Sequence, residues 1–405
     1  MRINKLHPAH IFISIALTVT FFGCQKNIDE IAVIPTPPTN PDSTKNYDSL
    51  FTISTGSGQD SGQILIDFNT KTSGVLAILD QAGRVIKTKT VGLQIDNFQK
   101  WNINGKTRYT YFQTQGEFAI DSIPGTEEGY EIICDSNLTE IKRVSLLPYK
   151  NVDTLTSSKI DVHDFILLDD DHYIVEAYRS EKPTNIPDTI LQEPGIKVVG
   201  CIIQEINNDQ VIFQWVGTDH PEFYGASVEN NNFGNIATTQ DYMHLNSICI
   251  DPADNNLICS FRNINQIIKI NRTTGETMWR LGGKNSDFAL TDDEDFLRQH
   301  YARINADDHS LMFLDNGEAS LRAYSRILEF QLDENAKQIT GFKAFKIPDQ
   351  FIQYGGSVQK TNDTYFIGGS SAKYALQINY NTNDVLLRLD LKFASYRCLK
   401  YNVTN

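Results

Sequence analysis

HLNSICIDPADNNLICSFRNINQIIKINRTTGETMWRL, residues 244–281, reads as two hairpins in succession. Apolar and β-branched residues run into DPADNN, resume as LICSF, and flank NRTTGE in the same way. Asp, Asn, Pro and Gly between such runs are turn chemistry, because they tolerate or preset the backbone angles that a reversal needs. No helical period of apolar residues runs through the stretch. Four short strands joined by tight turns form a single antiparallel sheet, so this segment predicts one all-β unit.

The same unit recurs along the chain. First hairpins read NFQKWNINGKTRYTYFQ from Asn97, HDFILLDDDHYIVEAYR from His163, HYARINADDHSLMFLDN from His300 and YGGSVQKTNDTYFIGGSS from Tyr354. Second hairpins read VLAILDQAGRVIKTKTV, KVVGCIIQEINNDQVIFQW, RILEFQLDENAKQITGFKAF and YALQINYNTNDVLLRLDLKF. With a less regular first unit starting near Phe51, six units fit between residues 52 and 403, roughly 59 residues apiece, the upper range for propeller blades. The expected fold is a six-bladed β-propeller of four-stranded blades spanning residues 51–405; a pair of β-sandwiches is the alternative that many short strands also allow. Ser180–Ile196 and Thr218–Tyr242 are insertions, expected as loops on one face.

Composition narrows the function. Among 405 residues, 36 are basic and 50 acidic, for a net charge of −14. Without basic clusters nothing would neutralise phosphates, which argues against nucleic acid as a partner. Arg2 and Lys5 precede an apolar run, Ile11–Phe22, that is too short to span a bilayer. Gly23-Cys24 then resembles a bacterial lipobox. Residues 1–23 are thus expected as a lipoprotein signal peptide, Cys24 as the lipidated residue, and residues 24–50, with PTPPTNPDST, as a polar tether. The expected location is outside the cytoplasm on a bacterial membrane, periplasmic or cell-surface, held by the lipid alone. Five cysteines follow Cys24, an odd number that excludes a complete disulfide framework; Cys249 and Cys259 flank one hairpin and could face each other.

Three units carry a histidine at one repeat position. His163, His244 and His300 each stand where the first strand of a unit begins, and in a propeller that strand lies beside the central channel. Equivalent positions in a rotational repeat converge on the axis. Arg262 and Arg179 close the second strands of the His244 and His163 hairpins, near the same rim. A three-histidine zinc site is one reading, but Arg262 would repel a cation and no carboxylate stands at the equivalent position. A basic pocket without carboxylates fits an oxyanion such as a sulfate or phosphate ester, and no metal or cofactor is expected.

HDF with LLDDDHY, DYMHLNSICID, SFRN, IIKINRTTGETMWRLGGK, RQHYA, and FLDNG with Ser325-Arg326 together resemble the bacterial arylsulfate sulfotransferases, which are six-bladed propellers. The resemblance covers roughly Lys71 to Phe393. It implies transfer of a sulfuryl group from an aryl sulfate ester to a phenol through a sulfated histidine, in ping-pong fashion and without a nucleotide donor. It implies His300 as the nucleophile, with His163, His244 and Arg262 stabilising charge. The chain departs from the family in showing no separate N-terminal β-domain and no conspicuous cysteine pair. Tyr301, where a smaller residue is usual, would narrow the pocket. Arg179 and Tyr178 are further candidates for holding substrate, as is Tyr224 for the acceptor phenol.

The alternative of another class is a surface propeller that binds an anionic glycan or phenolic ligand without chemistry. Other features read as structural. Trp215 and Trp279 are expected to pack blades, and the acidic runs at residues 169–171 and 291–296 to be solvated turns. His172 and His309 are expected in turns away from the axis, and His220 in an insertion.

Overall fold

Each repeat folds into one antiparallel sheet, and the computed structural model shows six of them in a ring. It describes residues 50–56, 62–92, 94–115, 120–152, 158–229, 231–348 and 351–402. The expected signal segment, Cys24 and the tether as far as residue 49 lie outside the described residues.

Blade two comprises Ile95–Ile103, Lys106–Thr114, Glu128–Cys134 and Glu140–Val144. Blade three comprises Phe165–Asp169, His172–Glu181, Val198–Asn207 and Gln210–Val216. Blade four is Leu245–Ile250, Leu257–Phe261, Gln266–Ile270 and Thr277–Leu281, the two successive hairpins expected of residues 244–281. Blade five is His300–Ile304, Leu311–Asp315, Arg326–Asp333 and Gln338–Lys346. Blade six is Ser357–Thr361, Thr364–Gly368, Tyr374–Asn379 and Val385–Leu391. The first strand of each blade is innermost, and each touches the next around the axis.

Blade one corrects the expected start of the repeat. Its three outer strands are Gly62–Asn69, Gly74–Leu79 and Val85–Val91, but its inner strand is Cys398–Asn402 from the other end of the chain. Gly62 pairs with Asn402 and Ile66 with Cys398. Phe51–Gly56 instead adds a fifth, outermost strand to blade six, with Phe51 opposite Leu391. Pairing the two ends removes the free edges that an open ring would expose.

Apolar side chains from facing blades form the cores. Between blades four and five, Trp279, Ile258 and Leu281 meet Leu311, Phe313 and Phe330, all buried, and the rings of Phe313 and Phe330 stack 5.7 Å apart. Each such phenylalanine contributes about 1.5–3 kcal/mol relative to exposure. Trp215 and Trp279 are buried in blade cores, as expected. The acidic turn at residues 169–171 is more than solvated: Asp170 takes two hydrogen bonds from Arg108, at 2.6 and 2.7 Å, and Asp171 one from Lys142 at 2.6 Å. It ties blade three to blade two. The five later cysteines are all buried and free, so Cys249 and Cys259 are not bridged.

Candidate active site

His300 is the first residue of the blade-five inner strand, His244 directly precedes that of blade four, and His163 stands two residues before that of blade three. His244 and Tyr301 have left-handed backbones, with φ of 57° and 58°, a conformation that costs a non-glycine residue about 1–3 kcal/mol and marks places where a side chain is re-aimed. The convergence expected from the repeat is present. The His163 ring lies 4.9 Å from that of His244 and 6.3 Å from that of His300, centroid to centroid. All three are buried.

Each imidazole is fixed through Nδ1, and the partners differ. His300 Nδ1 lies 2.8 Å from the carbonyl of Gly356. A carbonyl only accepts, so Nδ1 carries the proton and Nε2 presents a lone pair. The hydroxyl of Tyr396 donates to that Nε2 at 2.9 Å. The Nδ1 atoms of His163 and His244 are instead held by carboxylates: Asp161 for the first, and Asp241 at 2.6 Å for the second. These carboxylates correct the expectation of a carboxylate-free pocket. They stand two and three residues before their histidines, off the repeat position at which they were sought.

Cationic groups surround the trio. Arg262 is bonded through its backbone N–H to the His244 carbonyl at 2.9 Å; its side chain bonds Asn263 at 2.7 Å and lies 3.5 Å from Glu229. Arg397, fully buried, is a residue the sequence reading missed. It bonds Asp164 at 2.8 Å, Asn97 at 3.1 Å and the Asn246 carbonyl at 3.1 Å. Its guanidinium lies 5.2 Å from the ring centroid of Tyr396 and 4.7 Å from that of Tyr301. Burial, followed by the Arg397 charge, pushes His163 down to about 3. The same two causes, with His163 next, hold His300 well below the usual imidazole range. A neutral His300 with a bare Nε2 is the protonation state a nucleophile needs.

Of the remaining candidates, Tyr178 joins the cluster, its ring 5.7 Å from both His163 and His244 and its hydroxyl on the Leu245 carbonyl. Arg179, next along the strand, lies on the other face of the sheet, where its charge acts on Glu181. Tyr301 lies under two guanidiniums, with Arg303 only 4.0 Å from its ring centroid. Tyr224 is buried among the insertions, its hydroxyl 3.1 Å from Asn185. His172 bonds Glu205 at 2.6 Å, and His220 stacks on Trp215 at 4.9 Å.

A loop of blade two closes over the site. A Cβ on Gly125, whose φ is +81°, would come within 3.2 Å of His244 Cε1 and 3.6 Å of Nε2. Glycine permits both that backbone and that approach. Tyr396 and Arg397 immediately precede the closing strand, which is the repeat position itself. Recognising Cys398–Asn402 as an inner strand would have found them.

Residues 123–387, well over half of the chain, match the family model described as arylsulfotransferase (ASST). The chain belongs to the arylsulfotransferase family. No curated protein matches this arylsulfotransferase-family chain in a sequence search. Solved structures with a similar fold include the periplasmic gluconolactonase of Pseudomonas aeruginosa, at 10% identity and a TM-score of 0.46 over 85% of this chain and 100% of that one. The nidogen/laminin complex matches at 9% identity and a TM-score of 0.44, covering 84% and 98%. A putative 6-phosphogluconolactonase of Bacteroides fragilis matches at 10% and 0.42, covering 86% and 100%. At these values the likenesses carry no argument about activity.

Proposed function

We propose that the chain moves a sulfuryl group from an aryl sulfate ester to a phenolic acceptor, with His300 as the carrier. The observation behind this reading is the pairing of His300: a carbonyl on Nδ1, an unprotonated Nε2 that accepts only from the Tyr396 hydroxyl, and two further imidazoles and cationic groups around it. In the first step the Nε2 lone pair attacks sulfur, the N–S bond forms, and the S–O bond to the aryl group breaks with its electron pair. The phenolate leaves and takes up a proton. His300 then carries N–SO3, its Nδ1–H still bonded to the Gly356 carbonyl. In the second step the acceptor phenol attacks sulfur, its proton passes to a base, the N–S bond breaks and Nε2 regains its lone pair. Two modest barriers replace one high one.

The other residues take roles that their geometry suits. His244, backed by Asp241, can accept the acceptor's proton and return one to the departing phenolate. Arg262 stabilises charge on the sulfuryl oxygens, His163 can add a donor once Nε2 carries its proton, and Tyr178 offers an aromatic face beside two of the histidines. Incubating the chain with a chromogenic aryl sulfate should release phenol only when an acceptor phenol is present. Donor alone should add the mass of one sulfuryl group, in an acid-labile bond as expected of nitrogen-linked sulfate. Absence of both turnover and adduct across a panel of aryl sulfates would leave a binding module in place of the enzyme.

We also propose that the chain is exported and held to a membrane by a lipid on Cys24, on the strength of the apolar run and the Gly23-Cys24 junction. Cys24→Ser should move the protein from the membrane pellet to the soluble fraction with its melting curve unchanged. A variant that still sediments in a detergent-sensitive way would overturn the anchor.

A further inference from the structure

The Nδ1 edge of His163 faces two carboxylates. Asp161 Oδ1 accepts from the backbone N–H of His163 at 3.0 Å and from Nδ1 of the ring. Glu176, from the second strand of blade three, places Oε1 4.0 Å from the same Nδ1. The side chains of Asp161, His163 and Glu176 are 2%, 6% and 0% exposed. Asp161 Oδ2 and both oxygens of Glu176 are buried without a hydrogen bond of good geometry, and only the backbone N–H of Asp164 lies near enough to Glu176 to act on it.

That arrangement is expensive for a protein to keep. A buried carboxylate short of countercharge and hydrogen bonds costs several kcal/mol, and here Glu176 shares one imidazole with Asp161, which is bonded through Oδ1 alone. Arg397 acts on Glu176 through space, but its hydrogen bonds go to Asp164, Asn97 and Asn246. Asp164 is further bound by Arg303 at 2.8 Å. The guanidiniums of Arg303 and Arg397 are thus directed to Asp164, and Oε1 of Glu176 faces His163 instead.

One ligand atom from each of Asp161, His163 and Glu176 lies within 4.8 Å of the other two. Small side-chain rotations would bring all three to the ~2.0–2.2 Å that imidazole and carboxylate ligands keep around zinc. We propose that Asp161, Nδ1 of His163 and Glu176 bind one divalent first-row ion of the Zn2+ or Mn2+ kind. Two carboxylates and an imidazole suit such ions better than the all-oxygen shells that Ca2+ and Mg2+ prefer. Of the two features that spoke against a metal in the sequence, the missing carboxylates are supplied by Asp161 and Glu176, and the Arg262 guanidinium is turned to Asn263 and Glu229. The ion sits on the Nδ1 side of His163 and takes no part in bond making.

Its effect on the site rests on the sulfuryl-transfer reading. With Asp161 as its only partner, Nδ1 donates and Nε2 offers a lone pair, which cannot bond to a sulfuryl oxygen. An ion on Nδ1 requires the lone pair there, so the proton moves to Nε2 and His163 becomes a donor. The ion thereby sets which kind of hydrogen bond this histidine offers.

The test needs no transfer assay, so its outcome is separate from that of the proposed activity. The full chain, purified in detergent without chelator, is measured by inductively coupled plasma mass spectrometry. Chelator-stripped protein is then melted with and without ZnCl2 or MnCl2. The expected result is about one ion per chain and a melting midpoint that rises with one of the two salts. Glu176→Gln should lower the metal content to background and abolish the rise. If that variant fails to fold, Asp161→Asn provides the same readout. Wild-type protein with neither bound ion nor a salt-dependent midpoint would overturn the proposal, as would Glu176→Gln protein that retains the ion. Wild-type protein that carries no ion, with a Glu176→Gln variant of equal stability, would assign a shared proton in place of the ion.

Discussion

Replacing His300 with alanine should reduce acceptor-dependent transfer to the background rate, a loss of roughly 10⁴-fold or more, as for removal of a covalent nucleophile. No other imidazole of the trio has the same preparation. His163 and His244 are tied through Nδ1 to carboxylates, whereas His300 is tied to a carbonyl and meets the Tyr396 hydroxyl at Nε2. His244→Ala and Arg262→Ala should each cost about 10²–10³-fold, the range for losing one stabilising donor. Mass spectrometry of donor-treated protein separates the roles. The sulfuryl adduct should vanish in His300→Ala and form slowly in the other two. An adduct that persists in His300→Ala would transfer the carrier role to His163 or His244.

Arg397→Ala should destabilise the fold by about 3–5 kcal/mol, as when one member of a buried ion pair is removed, out of a typical total of about 5–15 kcal/mol. Burial works to raise the Asp164 carboxyl, but Arg303 and Arg397 overcome that effect and hold it below its usual range. Deleting Arg397 leaves Asp164 with Arg303 alone and strands the carbonyl of Asn246 and the side chain of Asn97. Asp164 also accepts from the backbone N–H of Ile248 at 2.8 Å, so one network joins blades three, four and five to the closing segment. Chemical denaturation should show a lower midpoint with an unchanged slope. A loss under about 1 kcal/mol would mean that Arg303 suffices for Asp164.

The fold was legible because hairpin signals are local. Turns such as NRTTGE and DPADNN announce themselves within a few residues, and repetition multiplies the signal. Ring closure has no such signature: Cys398–Asn402 pairs with Gly62–Ile66 across nearly the whole chain, and Phe51–Gly56 was read as the start of the first unit. The histidines were found because they occupy one repeat position. Their partners were not, since each arrives by a different local path. Asp161 precedes its histidine by two residues and Asp241 by three, whereas Glu176 comes from the neighbouring strand. Arg397 reaches Asp164 over a separation of 233 residues. Periodicity finds what the repeat shares, and in this site each histidine's second contact is peculiar to its blade.

The closing strand also fixes when the site comes into being. At ~5–20 residues per second, the 96 residues that separate Tyr396 from His300 take roughly 5–20 s to synthesise. His163, His244 and His300 all emerge before Tyr396 and Arg397, and Tyr396 follows His300 by 96 residues. A growing chain therefore carries His300 for several seconds without the hydroxyl on its Nε2 or the guanidinium beside it. Blade one waits as three strands for the same segment. Closure of the ring and assembly of the pocket around His300 depend on one segment, and a protease that cuts just before Tyr396 would undo both at once.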